Sequence, residues 1–383
     1  MFAAIFRYEL KYWFKNASVY VYAVAILLMA TGMMAGISGV FGKDSSGFKG
    51  ISNAPLQLYS FLTLFNKLLL LVLPAIIGNS IYRDYASKID TILYSYPFSK
   101  ADYLSGKFLS AFTVISLVSA LAGLGLFIGT RLPGVDASLI APFDLQAYLQ
   151  LYGIYLIPNL LFSGLIVFAV VAFSRNIYAG FITAVIVLIC REILARLAGS
   201  PESSMSPALL LEPFGESATH FYTRHLTPAE RNHLPIPLGA AVVYNRLFWL
   251  TCSALLAWFV YRYFSFHQNT RFFPIKKKKS GGEISHSQRP VAVPIVAGHF
   301  SSLQQCRVAC NIAWSDLRYA WTSGAFLSIL VAGCLFVLIL LLQMNAPYET
   351  RILPHTWVML AFPVFFFSLL IQWMTFLYAG VFI

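Results

Sequence analysis

Charge is what this sequence has least of. Only 11% of its 383 residues are Asp, Glu, Lys or Arg, against about 25% in soluble domains. The deficit runs along the whole chain, so lipid is the main solvent it is built for. Acids are scarcer than bases, with 15 Asp and Glu against 27 Lys and Arg. The basic residues stand in loops beside apolar runs and share no common face. That argues against nucleic acid as a partner and points to topology and anionic lipid. Catalytic motifs are missing too. A phosphate-cradling loop needs G-x-x-x-x-G-K-[ST]. The two Gly-Lys pairs are Gly42-Lys43, followed by Asp44, and Gly106-Lys107, followed by Phe108. Both lack the first glycine and the hydroxyl residue. No H-E-x-x-H is present, which excludes that type of zinc peptidase site. Of five cysteines, Cys190, Cys252 and Cys334 lie in apolar runs, where a thiol acts as a small hydrophobe. Cys306-x3-Cys310 has no second pair, so neither a disulfide framework nor a four-ligand zinc site is implied. No cofactor is expected.

What remains is long and apolar. A membrane helix needs about 20 mostly apolar residues. Such runs fall at 18–41, 58–82, 107–130, 148–173, 177–196 and 246–266, and after a break at 322–343 and 354–383. The fold expected is an all-α polytopic membrane protein: a six-span unit at 18–270 plus two further transmembrane helices, about eight spans. The opening stretch, MFAAIFRYELKYWFKN, interleaves charge with aromatics. It precedes a full-length span and has no A-x-A-like cleavage site, so it is not a signal peptide. Lys and Arg concentrate before residue 18, in 83–107 and in 262–318. The positive-inside rule then places the N-terminus in the cytosol. The 271–300 stretch, with four consecutive lysines, glycines and prolines, reads as a basic cytosolic linker.

That linker separates two similar beginnings. Glu9-Leu10-Lys11-Tyr12 aligns with Asp316-Leu317-Arg318-Tyr319, Gly78 with Gly380 and Ile81 with Ile383. The 301–383 segment therefore reads as the start of a second unit, an interfacial helix and two spans, which stops before that unit is complete.

Several short motifs carry function or its bland alternative. Arg7, Lys11 and Lys15 recur at i, i+4, i+8 on one stripe of a helix over 1–17, which also holds Glu9. Such a helix lies in the membrane interface, as an anchor alone or also as part of a docking surface. Between the second and third spans lies YRDYASKIDTILYSYPFSK. A short helix is expected near 85–94, then a turn at Pro97, then a helix capped by Ser99. The charges alternate in sign, which favours a protein contact over lipid. Lys67, inside the second span, either snorkels to headgroups or faces a transport path. Arg191, Glu192 and Arg196 cluster at the end of the fifth span, where pairing with one another is the default. In the polar 197–245 loop, Thr227-Pro228-Ala229-Glu230 has the form of a capping box with Pro at the first helical position. Its three histidines, His220, His225 and His233, lack a ligand spacing. Gly32-x3-Gly36 and Gly125-x3-Gly129 permit close helix contact.

An interfacial helix, a six-span unit, a charged segment between spans two and three, and no ATPase motif resemble the ABC-2 type of ABC transporter permease. FRYELKYW, YRDY…ID.ILYSYP.SK.DYL.GKF and LEPFG…T…TPAERN…P…NRLFWL are similar to the permease portion of bacterial proteins that join two such units to an M1-family aminopeptidase domain. The resemblance covers essentially the whole chain. It implies that 83–106 is the coupling-helix region that sits on an ATP-binding subunit, with Arg83, Asp84, Lys88, Asp90, Tyr94 and Pro97 as its contact residues. It also implies that 197–245 is the outer loop. The function expected is a permease subunit in the bacterial inner membrane, an exporter driven by a separate ATP-binding subunit. A second permease unit would come from a full-length second half or from a homodimer. The alternatives are a non-transporting anchor or scaffold for a peptidase or other partner, and a nonfunctional truncated fragment. An intramembrane enzyme would need paired acids or a nucleophile in the spans, and neither is seen.

Overall fold

The computed structural model describes residues 1–40, 50–89, 98–198, 206–266 and 302–322, with the isolated positions Cys334, Val364 and Ser368. The chain divides into two compact units, Met1–Arg271 and Phe272–Ile383. In the first unit, α1 (Phe2–Lys15) is followed by six helices long and apolar enough to cross a membrane. These are α2 (Ala17–Ile37), α3 (Pro55–Ala86), α4 (Lys100–Gly129), α5 (Leu145–Ser174), α6 (Ile177–Ala198) and, after three short helices, α10 (Ala240–Tyr263). Each matches an expected span to within a few residues at most ends. The short helices are α7 (Pro207–Leu211), α8 (Glu216–Thr223) and α9 (Pro228–His233). In the second unit the structure describes α11 (Ser302–Thr322). The described residues are helical, with no strand among them. Apart from Thr322, Cys334, Val364 and Ser368, the two later spans expected at 322–343 and 354–383, and the 271–300 linker, lie outside the described residues, which hold six helices long and apolar enough to be spans.

Local sequence sets the helix boundaries. Asn16 breaks α1 from α2, and its side chain accepts a hydrogen bond from the Ser18 N–H. Ser99 caps α4 by accepting from the Asp102 N–H. At α9 the Thr227–Glu230 capping box forms in both directions, with Pro228 in the first turn. For Ser99 and Thr227 these are the roles the sequence predicts. Two internal prolines leave a mark. Proline has no N–H to donate back along a helix. In α3 the turn Pro74–Gly78 widens to a π-helical turn. In α5 the turn Tyr152–Leu156 does the same just before Pro158.

Packing follows from side-chain size. Of the spans, α3 is the most buried, with Leu62, Leu69, Leu73, Ile76 and Ile77 fully enclosed. Helix α4 runs beside both α1 and α2. It comes closest where it has no side chain. A Cβ on Gly125 would stand 2.6 Å from the Leu27 carbonyl oxygen, and one on Gly106 would stand 2.8 Å from the Ile5 side chain. Helices α2 and α10 are peripheral. Leu28, Leu255 and Trp258 are largely exposed on them, as lipid-facing positions must be. At 1.5 Å per residue, α3, α4 and α5 are each about 45 Å long or more, against a hydrocarbon core of about 30 Å. Their ends therefore reach past the apolar layer; of two polar clusters among the described residues, one sits at the ends of α3 and α4 and the other reaches inward to Lys67 and Asn159.

Candidate functional site

The first cluster joins α1 to the end of α3 and the start of α4. Glu9 lies on α1 between Ile5 and Trp13, on the face opposite the basic stripe, and is 2% exposed. Both of its carboxylate oxygens accept from one Arg83 nitrogen, at 2.8 and 2.9 Å, and one accepts from Lys107 at 2.8 Å. Lys107, on α4 and also 2% exposed, uses all three of its N–H groups. It donates to Glu9, to the Ser80 carbonyl at 2.9 Å and to Asp84 at 3.0 Å. The Tyr103 hydroxyl donates to the other Asp84 oxygen at 2.8 Å. The Arg83 guanidinium lies 3.6 Å from the centre of the Tyr12 ring. Two acids and two bases thus neutralise one another, and every carboxylate is hydrogen-bonded. That is the condition under which burying charge is tolerated. At the edge of the same junction the Phe2 N–H donates to Asp102, and Lys100 donates to the Phe264 carbonyl beyond the end of α10.

The expected coupling residues fall into three groups. Arg83 and Asp84 face into this junction and hold the molecule together from within. Helix α3 ends at Ala86, and Lys88 follows in a left-handed turn, φ 56°, exposed. Asp90, Tyr94 and Pro97, with the second half of the short helix expected near 85–94, lie outside the described residues; in its first half α3 ends at Ala86 and 87–89 are not helical. On α1, Arg7, Lys11 and Lys15 are all exposed, while Glu9 turns inward.

The second cluster lies at the opposite end of the helices. Lys67 of α3 donates to Glu216 at 3.0 Å. Arg191 of α6 contacts Glu192 and Glu216 and stands 3.5 Å from Glu212. The Arg191–Glu192 pairing is as expected, and the side chain of Arg196 lies outside the described residues. Glu212 is fully buried and accepts from the Phe214 and Ser217 N–H groups. Arg246 of α10 donates to Asn159 of α5 at 2.7 Å and to the Pro213 carbonyl at 3.0 Å. Its neighbour Asn245 donates to the carbonyls of Leu209, Leu210 and Glu212. The 206–217 segment is therefore tied by charge and amide to α3, α5, α6 and α10 at once. Farther along that segment, burial and the nearby Arg231 and Arg224 hold the His220 imidazole below its ordinary value. Among the described residues no three His, Cys, Asp or Glu side chains gather in a way that could hold a metal ion.

Sequence reasoning named Glu9, Arg83 and Asp84 but gave no role to Lys107, which pairs with both acids. The available signal was a lysine seven residues into an apolar helix. It also missed Glu212, Glu216, Asn159 and Asn245, which are distant in sequence from the bases they meet. Fold and site together define a helical, multi-pass membrane protein with a buried ionic junction at each end. No protein-family model matches the chain, and no curated protein does.

Proposed function

We propose that this chain is the membrane-spanning permease subunit of an ABC transporter of the ABC-2 type, an exporter driven by a separate ATP-binding subunit. The observation that supports it best is the junction of Glu9, Arg83, Asp84 and Lys107. It makes α1, the end of α3 and the start of α4 one rigid element at one end of the molecule. The 83–106 segment leaves from and returns to that element. A push on the segment would reach two spans and the interfacial helix together, by rigid-body motion. In this reading the N-terminus is cytosolic, Lys88 is the described coupling residue that a partner can touch, and Arg83 and Asp84 transmit force without contacting the partner. At the other end the 206–217 segment closes over α3, α5, α6 and α10, with Lys67 under it where a path would open. ATP hydrolysis belongs to the partner chain. A second unit, from the same full-length protein or from a second copy, completes the pathway. The protein resides in a bacterial inner membrane.

The test is purification from native membranes in mild detergent, with identification of what accompanies the protein. A stoichiometric P-loop ATPase, whose capture is lost with Lys88→Glu while the variant keeps its thermal stability, is the expected result. If no ATPase accompanies the wild type, or Lys88→Glu captures it normally, the coupling role is wrong. The scaffold reading then moves ahead.

A further inference from the structure

The outward face of α1 is basic and bordered by aromatics. Its only acid, Glu9, is turned inward and neutralised by Arg83 and Lys107. What remains outside is Arg7, Lys11 and Lys15, all exposed and spaced by single helical turns, with no counter-charge on the helix. Tyr8 and Phe14 flank the stripe and are 70% and 45% exposed. The helix is oriented by its other face, where Ile5 packs on Gly106 and Trp13 is buried. The stripe therefore cannot rotate away. Its position relative to lipid is fixed as well, because Lys15 stands next to Asn16, the cap of the apolar α2. The Tyr20 hydroxyl, one turn into α2, bonds the Phe14 carbonyl across that corner. A basic stripe bordered by aromatics, rigidly held where a span leaves the bilayer, matches the chemistry of lipid phosphate.

We propose that Arg7, Lys11 and Lys15 form a binding surface for the headgroups of anionic phospholipids in the leaflet at the α1 end. The inference is independent of the transport reading and requires only that α2 spans the membrane. Continuity with α2 favours lipid over an acidic protein, because headgroups are already at the level of Lys15. Each basic residue near an anionic surface contributes enough that three together give on the order of 100-fold preference over zwitterionic lipid at low salt. Since the inner face of α1 is locked to α3 and α4, lipid bound on the stripe also fixes that junction in place.

The experiment uses the full chain in mild detergent, offered phosphatidylglycerol in competition with phosphatidylcholine. Retained lipid is counted by native mass spectrometry. The variant carries Arg7→Gln, Lys11→Gln and Lys15→Gln, which remove the charge and keep a polar side chain of similar helix propensity. Arg131→Gln, at an exposed position at the other end, is the control. The wild type and the control should prefer phosphatidylglycerol, the preference should weaken with added salt, and the triple variant should lose it. A wild type without preference overturns the proposal, and so does a triple variant that keeps it. If the triple variant keeps its lipid selectivity but no longer captures an acidic protein partner, the stripe is a protein-docking surface and the lipid assignment is wrong.

Discussion

Lys107 is the residue on which the α1 junction turns. It holds Glu9 and Asp84 at once, and all three side chains are almost completely buried. Replacing one member of a buried ionic set leaves an uncompensated charge, at a cost of about 3–5 kcal/mol. Lys107→Met should therefore lower stability by about that amount, read as reduced thermal stability in detergent. Adding Glu9→Gln should recover part of the loss, because the stranded carboxylate is removed along with its partner. A double variant whose destabilisation is the plain sum of the two would mean that Glu9 and Lys107 do not depend on each other. The basic stripe should behave oppositely. Arg7, Lys11 and Lys15 are exposed, and surface changes away from special features stay within about 0.5 kcal/mol.

Helix pairing distinguishes two stretches that look alike in sequence. Gly32-x3-Gly36 on α2 and Gly125-x3-Gly129 on α4 carry the same spacing. Among the described residues, only the second makes close contact. Gly125 faces the α2 backbone with no room for a Cβ, whereas nothing lies within 4 Å of a Cβ on Gly32. Gly125→Leu should force α2 from α4 and destabilise by about 1–3 kcal/mol or more, as overpacking does. Gly32→Leu should cost little and, in a helix, gains propensity. Comparing the two variants by thermal melting in the same detergent checks this. Equal losses would show that Gly32 is also packed. Pro74 and Pro158 lie inside the spans expected at 58–82 and 148–173, and each helix does continue past its proline, with a π-helical turn beside it.

The first unit carries a buried ionic cluster toward each side of its six apolar helices. Proposing the N-terminus in the cytosol makes a direct prediction. In a cysteine-free background, Lys88→Cys should react with a membrane-impermeant maleimide only after cells are opened. Ser138→Cys and His225→Cys, both at exposed positions, should react on intact cells. The reverse pattern inverts the orientation, and labelling of all three on intact cells removes the six-span count.

Six apolar helices, most of their limits and two of their caps were legible in the sequence, because span length, Ser99 and Thr227 act through neighbours along the chain. The exposed stripe of α1 was legible for the same reason: helical spacing alone puts Arg7, Lys11 and Lys15 together. The inward turn of Glu9 was not, since a lone acid on a basic helix looks solvated until Arg83 and Lys107 are found behind it. Nor was the fate of Lys67, read as snorkelling or as lining a path. It meets Glu216, 149 residues away. Local chemistry determined where helices begin, end and face lipid. Only the tertiary structure decided which buried charges meet, because an ion pair in an apolar interior is set by how helices distant in sequence are brought side by side.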